Sequence, residues 1–316
     1  MLLCLLLLSS IAFLLFKDRI LAPKEEKPQQ QEMEKLPEGE LEIIIEQPRP
    51  PEAKEMRALA LDDSVLRGGT ENAFRAMEEL GANALSVRIK SSDGKLQYSS
   101  AIAEAIEAGA VVGNAVSDGA IEDLTASEHH CIARIAALHD STLAYRYPGE
   151  TAILQLQHPG VVWYDPDSTF WLDPEKDWTR RYLAGIAAEC AALGFDEVLL
   201  DEFAYPSNGR QSNIDASGRK VSKEEALKGL AEELFKTLQD SATLLSVELS
   251  AQTVLDGGNE AKGQNVRELA LYFDRIYVKT TAEQLPELQQ ALDGVDVELI
   301  PILSEAAKEG ACLIEE

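Results

Sequence analysis

Two acidic positions in this chain have neighbours that could make them chemically active. The stretch "GFDEVLLDEFAYPSNGR" (194–210) ends an apolar run in Asp201 and Glu202, and "LLSVELSA" (244–251) carries Glu248 close to two serines. Two carboxyl groups facing one another can split an acetal linkage between sugars. One, kept protonated, donates to the leaving oxygen, while the other acts as base or nucleophile. The donor must hold its proton near neutral pH, which burial or a neighbouring like charge achieves. Strand side chains alternate between faces. Leu199, Asp201 and Phe203 share one face, and Leu200 and Glu202 the other; Ser246, Glu248 and Ser250 also share a face. Small polar residues around a glutamate suit a wet interior. Asp201 and Glu248 are therefore the expected catalytic pair, with Glu202 and Asp140 as supporting carboxylates.

All three tryptophans, Trp163, Trp171 and Trp178, lie in "VVWYDPDSTFWLDPEKDW" (161–178). The apolar C–H faces of sugars stack on aromatic rings while carboxylates and amides bind their hydroxyls. Trp171 is expected as an exposed stacking platform, Trp178 as helix core, and Trp163 either as part of that platform or as a hydrophobic plug.

These residues need a frame that brings distant segments together. Strand signals at 57–61, 84–90, 131–138, 197–203, 244–251, 275–279, 297–303 and 311–316 alternate with helix signals. A helix capped by Thr70 runs to Gly81, and an alanine-rich one lies near 100–107. Asp173-Pro174 opens a long helix closed by Gly194, and Ser222 with Glu225 forms a capping box for another. Further helices are expected near 264–271, near 282–292 and over "SEAAKEG" (304–310). Repeated β-α units require a parallel sheet, and eight of them in some 260 residues favour a (β/α)8 barrel of the TIM type, with a doubly wound open sheet as the alternative. In a barrel the chemistry sits at the C-terminal ends of the strands. The polar residues there are Asp62 and Asp63, then Arg88, Lys90 and Asp93, then Arg134 and Asp140, then Asp201, Glu202, Glu248 and Lys279.

Other functions fit the sequence poorly. A formal charge of -26 repels phosphate backbones, so no nucleic acid is expected as partner. "LDDSVLRGGT" after the first strand has neither G-x-G-x-x-G nor a phosphate-loop lysine, and G-x-S-x-G is absent. His129, His130, His139 and His158 do not share a metal-binding helix face, and Cys131, Cys190 and Cys312 read as buried free thiols. Neither metal nor cofactor is expected.

The N-terminus reads differently. "MLLCLLLLSSIAFLLF" is apolar for sixteen residues, which span about 24 Å as a helix, a little less than the ~30 Å membrane core. Lys17, Arg19 and the following apolar residues extend it, so residues 1–22 are expected as a signal-anchor helix, with a cleaved secretory signal as the alternative. Residues 23–56, rich in Pro, Glu, Gln and Lys, are expected as a disordered linker interrupted by "LEIII" (41–45). The globular domain is then 57–316, tethered on the extracytoplasmic face of a membrane.

"WYDPDSTFWLDP" (163–174) and "GFDEVLLDEFAYPSNG" (194–209), together with "NALSVRIKSSDGKLQYSS" (83–100), "IARIAALHD" (132–140) and "GQNVRELALYFDRI" (263–276), resemble a bacterial family of envelope-associated barrel domains described as glycoside hydrolases. The similarity covers most of residues 57–280. It implies a TIM-type barrel acting on a cell-envelope or environmental polysaccharide, or on the glycan of peptidoglycan. Arg134, Asp140, Trp163, Asp165, Trp171, Asp173 and Asp201 match the family pattern. Trp163, Asp165, Trp171 and Arg134, with Tyr205 in the turn after the fourth strand, are the expected substrate-binding residues. There are departures. The family's second-strand aspartate is Arg88 here, its tyrosine after the fourth-strand aspartate is Glu202, its next arginine is Ala204, and "VKTTAEQ" replaces a Tyr-Pro-Ser-His turn. The chitinase pattern D-x-E also fails, because Phe203 stands two residues past Asp201. Three functions follow: a glycoside hydrolase, a catalytically silent glycan-binding barrel, or a structural envelope protein.

Overall fold

The computed structural model describes residues 55–61, 69–112, 118–305, 307 and 310–315. The expected anchor helix, residues 23–54 of the expected linker, Asp62 and Asp63, and part of "SEAAKEG" lie outside the described residues, and Met56, expected as the end of the linker, instead packs in the barrel interior. Among the described residues, no helix is long and apolar enough to cross a membrane.

Short apolar runs, each closed by a polar or glycine-bearing turn, form the eight strands of a closed barrel among the described residues, beside a short antiparallel pair, Gly258–Asn259 and Gln264–Asn265. The barrel strands are β1 (Arg57–Leu61), β2 (Ala84–Lys90), β3 (His130–Ala136), β4 (Glu197–Asp201), β5 (Leu244–Ser250), β6 (Arg275–Lys279), β7 (Glu298–Leu303) and β8 (Cys312–Ile314). Every neighbouring pair in the barrel is parallel, and β8 closes on β1 through Arg57↔Cys312 and Leu59↔Ile314. Helices interleave, the longest being Asp177–Ala192 before β4 and Lys223–Leu238 after it. This is a (β/α)8 barrel, as the alternation of elements implied.

Strand alternation sorts the side chains into two cores. Ala58, Ala84, Ile132, Leu199, Tyr277, Ile300, Ile302 and Leu313 pack inside the barrel. Val198, Leu200, Val247 and Ile276 point outward onto helix residues such as Ile186, Leu227 and Leu230. Asp201 therefore shares the inward face of Leu199, and Glu248 the inward face of Ser246, whose hydroxyl bonds Glu197 inside the barrel.

Local signals placed most elements but missed some starts. The Ser222–Glu225 capping box forms as expected. Thr70 is the first helical residue, and the preceding Gly69 takes φ 98, a left-handed value suited to glycine. The long helix begins at Asp177 rather than after Asp173-Pro174, because the Asp173 carboxylate accepts from the Glu175 N–H and folds that segment as a turn.

Asp140 needs correcting. The register of β2 shifts between Arg88 and Lys90, which turns Lys90 out of the barrel's inner row. Its ammonium is fully buried, 2.6 Å from the Ala136 carbonyl and 3.0 Å from Asp140 Oδ2. Asp140 Oδ1 accepts from the Leu143 N–H and caps the helix Ser141–Arg146. Gly94 packs so closely that a Cβ there would stand 1.9 Å from Asp140 Oδ1. With none of its surface exposed, Asp140 has no path to a substrate and holds the frame instead.

The N-terminal end of the barrel carries a buried ionic cluster. Glu197 accepts from Arg275 Nη1 at 2.6 Å and from Ser246 Oγ at 2.5 Å, and His130 Nε2 lies 2.8 Å away. Burial alone would raise the Glu197 pKa, but His130, Arg275 and Ser246 outweigh it and leave it below the usual glutamate range. A depressed folded-state pKa stabilises the protein above the unfolded value and is lost as pH falls through the folded one. The melting temperature is expected to fall as pH drops below about 4.3. Glu197→Gln is expected to lower stability at neutral pH by about 3 kcal/mol and to flatten that acid dependence. Thermal denaturation of both proteins across pH checks this, and parallel profiles would contradict it.

Candidate active site

The site at the C-terminal mouth is assembled from inward-facing residues at or just past strand ends. After Asp201 the chain leaves the barrel through Glu202, whose φ of 50 is left-handed. The turn sends Glu202 to solvent and leaves Asp201 inside. Only one of the adjacent acids therefore faces inward, as alternation requires.

Asp201 Oδ2 accepts from Arg88 Nη2 at 2.6 Å and from Arg134 Nε at 2.9 Å. Arg134 then spends its other nitrogens on two more carboxylates. Nη2 donates to Glu248 Oε2 at 2.6 Å and Nη1 to Glu315 Oε1 at 2.8 Å. Lys279 Nζ stands 3.7 Å from Glu315 Oε2. One guanidinium rooted in β3 thus ties the ends of β4, β5 and β8 together across the mouth. An arginine suits this position because its planar fork presents separate donors to separate acceptors.

The environments of the two expected catalytic carboxyls differ. Burial pushes the Glu248 pKa above the ordinary range; Arg134 opposes this, and the charges of Asp201 and Glu315 add to it. Asp201 sits between two guanidiniums, and its Oδ1 is buried with no protein hydrogen-bond partner. Loss of surrounding solvent and then the Asp201 charge raise the Glu202 pKa, although the residue stands at the surface. Burial would lower the Arg134 pKa, but its three carboxylates raise it, so the guanidinium stays charged. Among the described residues, no group of three His, Cys, Asp or Glu side chains could hold a metal ion.

Of the sequence-derived candidates, Asp201, Glu248 and Arg134 converge, with Glu202 at the rim. The aromatic and turn candidates do not. Trp171 is 7% exposed, not a platform: it stacks on His139 at 4.4 Å, with the rings 4° from parallel, and its indole N–H donates to Asp165 Oδ2. Trp163 is a buried plug bonded to the Arg210 carbonyl. Asp165 is buried and fully occupied. Its Oδ1 accepts from the N–H groups of Asp167 and Thr169, and its Oδ2 from the Thr169 hydroxyl and the Trp171 indole. Tyr205 is buried with its hydroxyl on Asp173 and the Arg219 and Lys223 cations over its ring. Each was proposed for contact with substrate and instead holds the loops in place.

Arg88 was expected only as one of the polar residues at the strand ends, without a role, and Glu315, which follows the last strand, was not expected at all. The available signal was alternation, since Arg88 shares a face with Ser86 and Glu315 with Leu313.

A family profile described as "Putative glycosyl hydrolase domain" matches residues 64–278. No curated protein matches. Among solved structures, a hypothetical protein from Ruminiclostridium thermocellum is 24% identical, with a TM-score of 0.52 over 59% of this chain and 96% of that one. The PgaB (BpsB) glycoside hydrolase domain from Bordetella bronchiseptica is 17% identical, with a TM-score of 0.53 over 79% and 84%. A chitobiase from Flavobacterium johnsoniae is 11% identical, with a TM-score of 0.50 over 79% and 38%. At these identities the likeness concerns the fold.

Removing the central guanidinium leaves three carboxylates facing one another. Arg134→Gln is expected to cost about 3–5 kcal/mol, as for other broken buried pairs, and to raise the Glu248 pKa further. Arg134→Lys is expected to recover only part of the stability, because an ammonium cannot reproduce the fork. Thermal melts and carboxyl titration by NMR check both expectations.

Proposed function

The chain belongs to the family described as "Putative glycosyl hydrolase domain", and on that premise we propose that its barrel mouth hydrolyses a glycosidic bond between Asp201 and Glu248. The observation that carries the proposal is the shared Arg134, which holds two carboxyls side by side in unequal environments. Glu248, whose pKa burial raises, is suited to keep a proton and act as general acid. Asp201, held by Arg88 and Arg134, is placed to face the anomeric carbon. Glu248 gives its proton to the bridging oxygen, the C–O bond breaks, and its electron pair leaves with the departing sugar. Positive charge then develops on the anomeric carbon next to Asp201. Water adds there and returns a proton to a carboxylate.

A polysaccharide of the cell envelope or surroundings, or the glycan of peptidoglycan, is the proposed substrate. The apolar residues 1–16 of the 1–22 segment and the acidic, proline-rich segment after it support membrane tethering on the extracytoplasmic side. The full chain is then expected to stay in the membrane pellet after alkaline carbonate extraction, and release into the supernatant would refute the tether.

A second reading, glycan binding without cleavage, is favoured by the state of Asp201: Oδ2 is taken by two guanidiniums and Oδ1 is buried. Reducing-end release from arrayed polysaccharides and peptidoglycan separates the two. Under hydrolysis, Asp201→Asn and Glu248→Gln each lower release by about 100-fold or more. A general acid with a raised pKa stays protonated further up the pH scale. Activity should therefore persist above the ordinary glutamate range of about 4.3, fall as pH rises through the Glu248 pKa, and lose that alkaline limb in Glu248→Gln. Binding without release, unchanged in Asp201→Asn, would establish the second reading.

A further inference from the structure

The aromatic residues exposed beside the mouth are Tyr145 and Tyr164, at 75% and 55%, rather than the tryptophans. Tyr164 and Phe170 face each other across an antiparallel bridge, so their side chains project from the same face of the hairpin. Phe170 lies against Tyr145, with ring centroids 6.2 Å apart and planes 12° from parallel. The three rings form a strip, Tyr164–Phe170–Tyr145.

Backbone hydrogen bonds connect this strip to the site. Ala137 and Leu138 donate to the carbonyls of Asp201 and Glu202, Leu172 donates to Leu138, and Asp140 donates to Phe170. Two strand spacings and about two residues of rise put Phe170 on the order of 12 Å from Asp201. The hairpin is held stiffly by Asp165 and by the Trp171–His139 stack. The Thr169 hydroxyl is committed to Asp165, so His139 Nε2 is the donor in its 2.6 Å contact with Thr169. Rigid rings lose little entropy on meeting a ligand.

We propose that Tyr164, Phe170 and Tyr145 form an outer stacking subsite for a glycan chain, making the ligand a polymer bound over several sugar units rather than a small glycoside. The proposal rests on the reading of the mouth as a glycan site and adds the length of its ligand. The strip is only three rings long, and the polar Asp167 and Ser168 lie in the hairpin between Tyr164 and Phe170. That suits a ribbon with apolar faces and polar edges. A protein partner would need a contact of about 800 Å² per side.

The test measures affinity of the full chain by calorimetry for cello-, chito- and peptidoglycan-derived oligosaccharides from disaccharide to long oligomer. Tyr145→Ala and Tyr164→Ala replace exposed side chains, so melting temperatures should stay unchanged. The double substitution is expected to weaken long oligomers roughly tenfold, about 1.4 kcal/mol, with a loss that grows with chain length. Tyr145→Phe should retain affinity, since the ring and not the hydroxyl makes the contact. Losses equal at all lengths, or no loss, overturn the subsite, and cleavage that continues under those results leaves the hydrolase reading standing. Length-dependent loss of binding with no cleavage supports the subsite and overturns the hydrolase reading. No binding of any long oligomer by the parent chain overturns the subsite.

Discussion

The mouth of this barrel depends on the desolvated guanidinium of Arg134. An arginine is nearly always charged, and burying that charge is costly unless every donor is met. Here the cost is offset by three carboxylates, from two strands and the residue just past a third. The same bonds that keep Arg134 inside hold Asp201 and Glu248 next to each other. Stability and site geometry are thus one set of contacts. Arg88 adds a second cation to Asp201, while burial raises the Glu248 pKa beside it.

A comparable cluster sits at the other end of the barrel, where Arg275 joins Glu197 and Glu298. Between the two lies an apolar layer that includes Ile132, Leu199, Ile300 and Leu313. This layer separates the two clusters. Placing Asp201 at the C-terminal end and Glu197 at the N-terminal end of one five-residue strand separates a candidate site from a structural pair of similar composition.

The aromatic loop follows the same logic of satisfied polar groups. An indole buries a large apolar area but needs an acceptor for its N–H. Asp165 and the Arg210 carbonyl supply those acceptors, which lets Trp171 and Trp163 anchor the hairpin from within. Phe170 and the tyrosines then occupy the outer side. Residue type alone pointed to the tryptophans as the sugar platform, and burial assigned them to support.

Alternating β and α signals were enough to predict the barrel, because helix and strand periods are local and eight β-α units close in few ways. Strand alternation likewise set Asp201 and Glu248 inward and Glu202 apart, since a side chain's face follows from its place in the strand. Asp140, Asp165, Trp171 and Tyr205 had the right types near the right strand ends, yet pairing and burial made them structural. Which carboxylate meets which cation depends on strands far apart in sequence: Arg134 and Glu315 are 181 positions apart and 2.8 Å apart in space. The chain by itself determined the frame and the inward faces. Only closure of the barrel, which brings β3, β4, β5 and β8 to one mouth, decided the charge pairing, because that pairing rests on long-range contacts that local sequence does not encode.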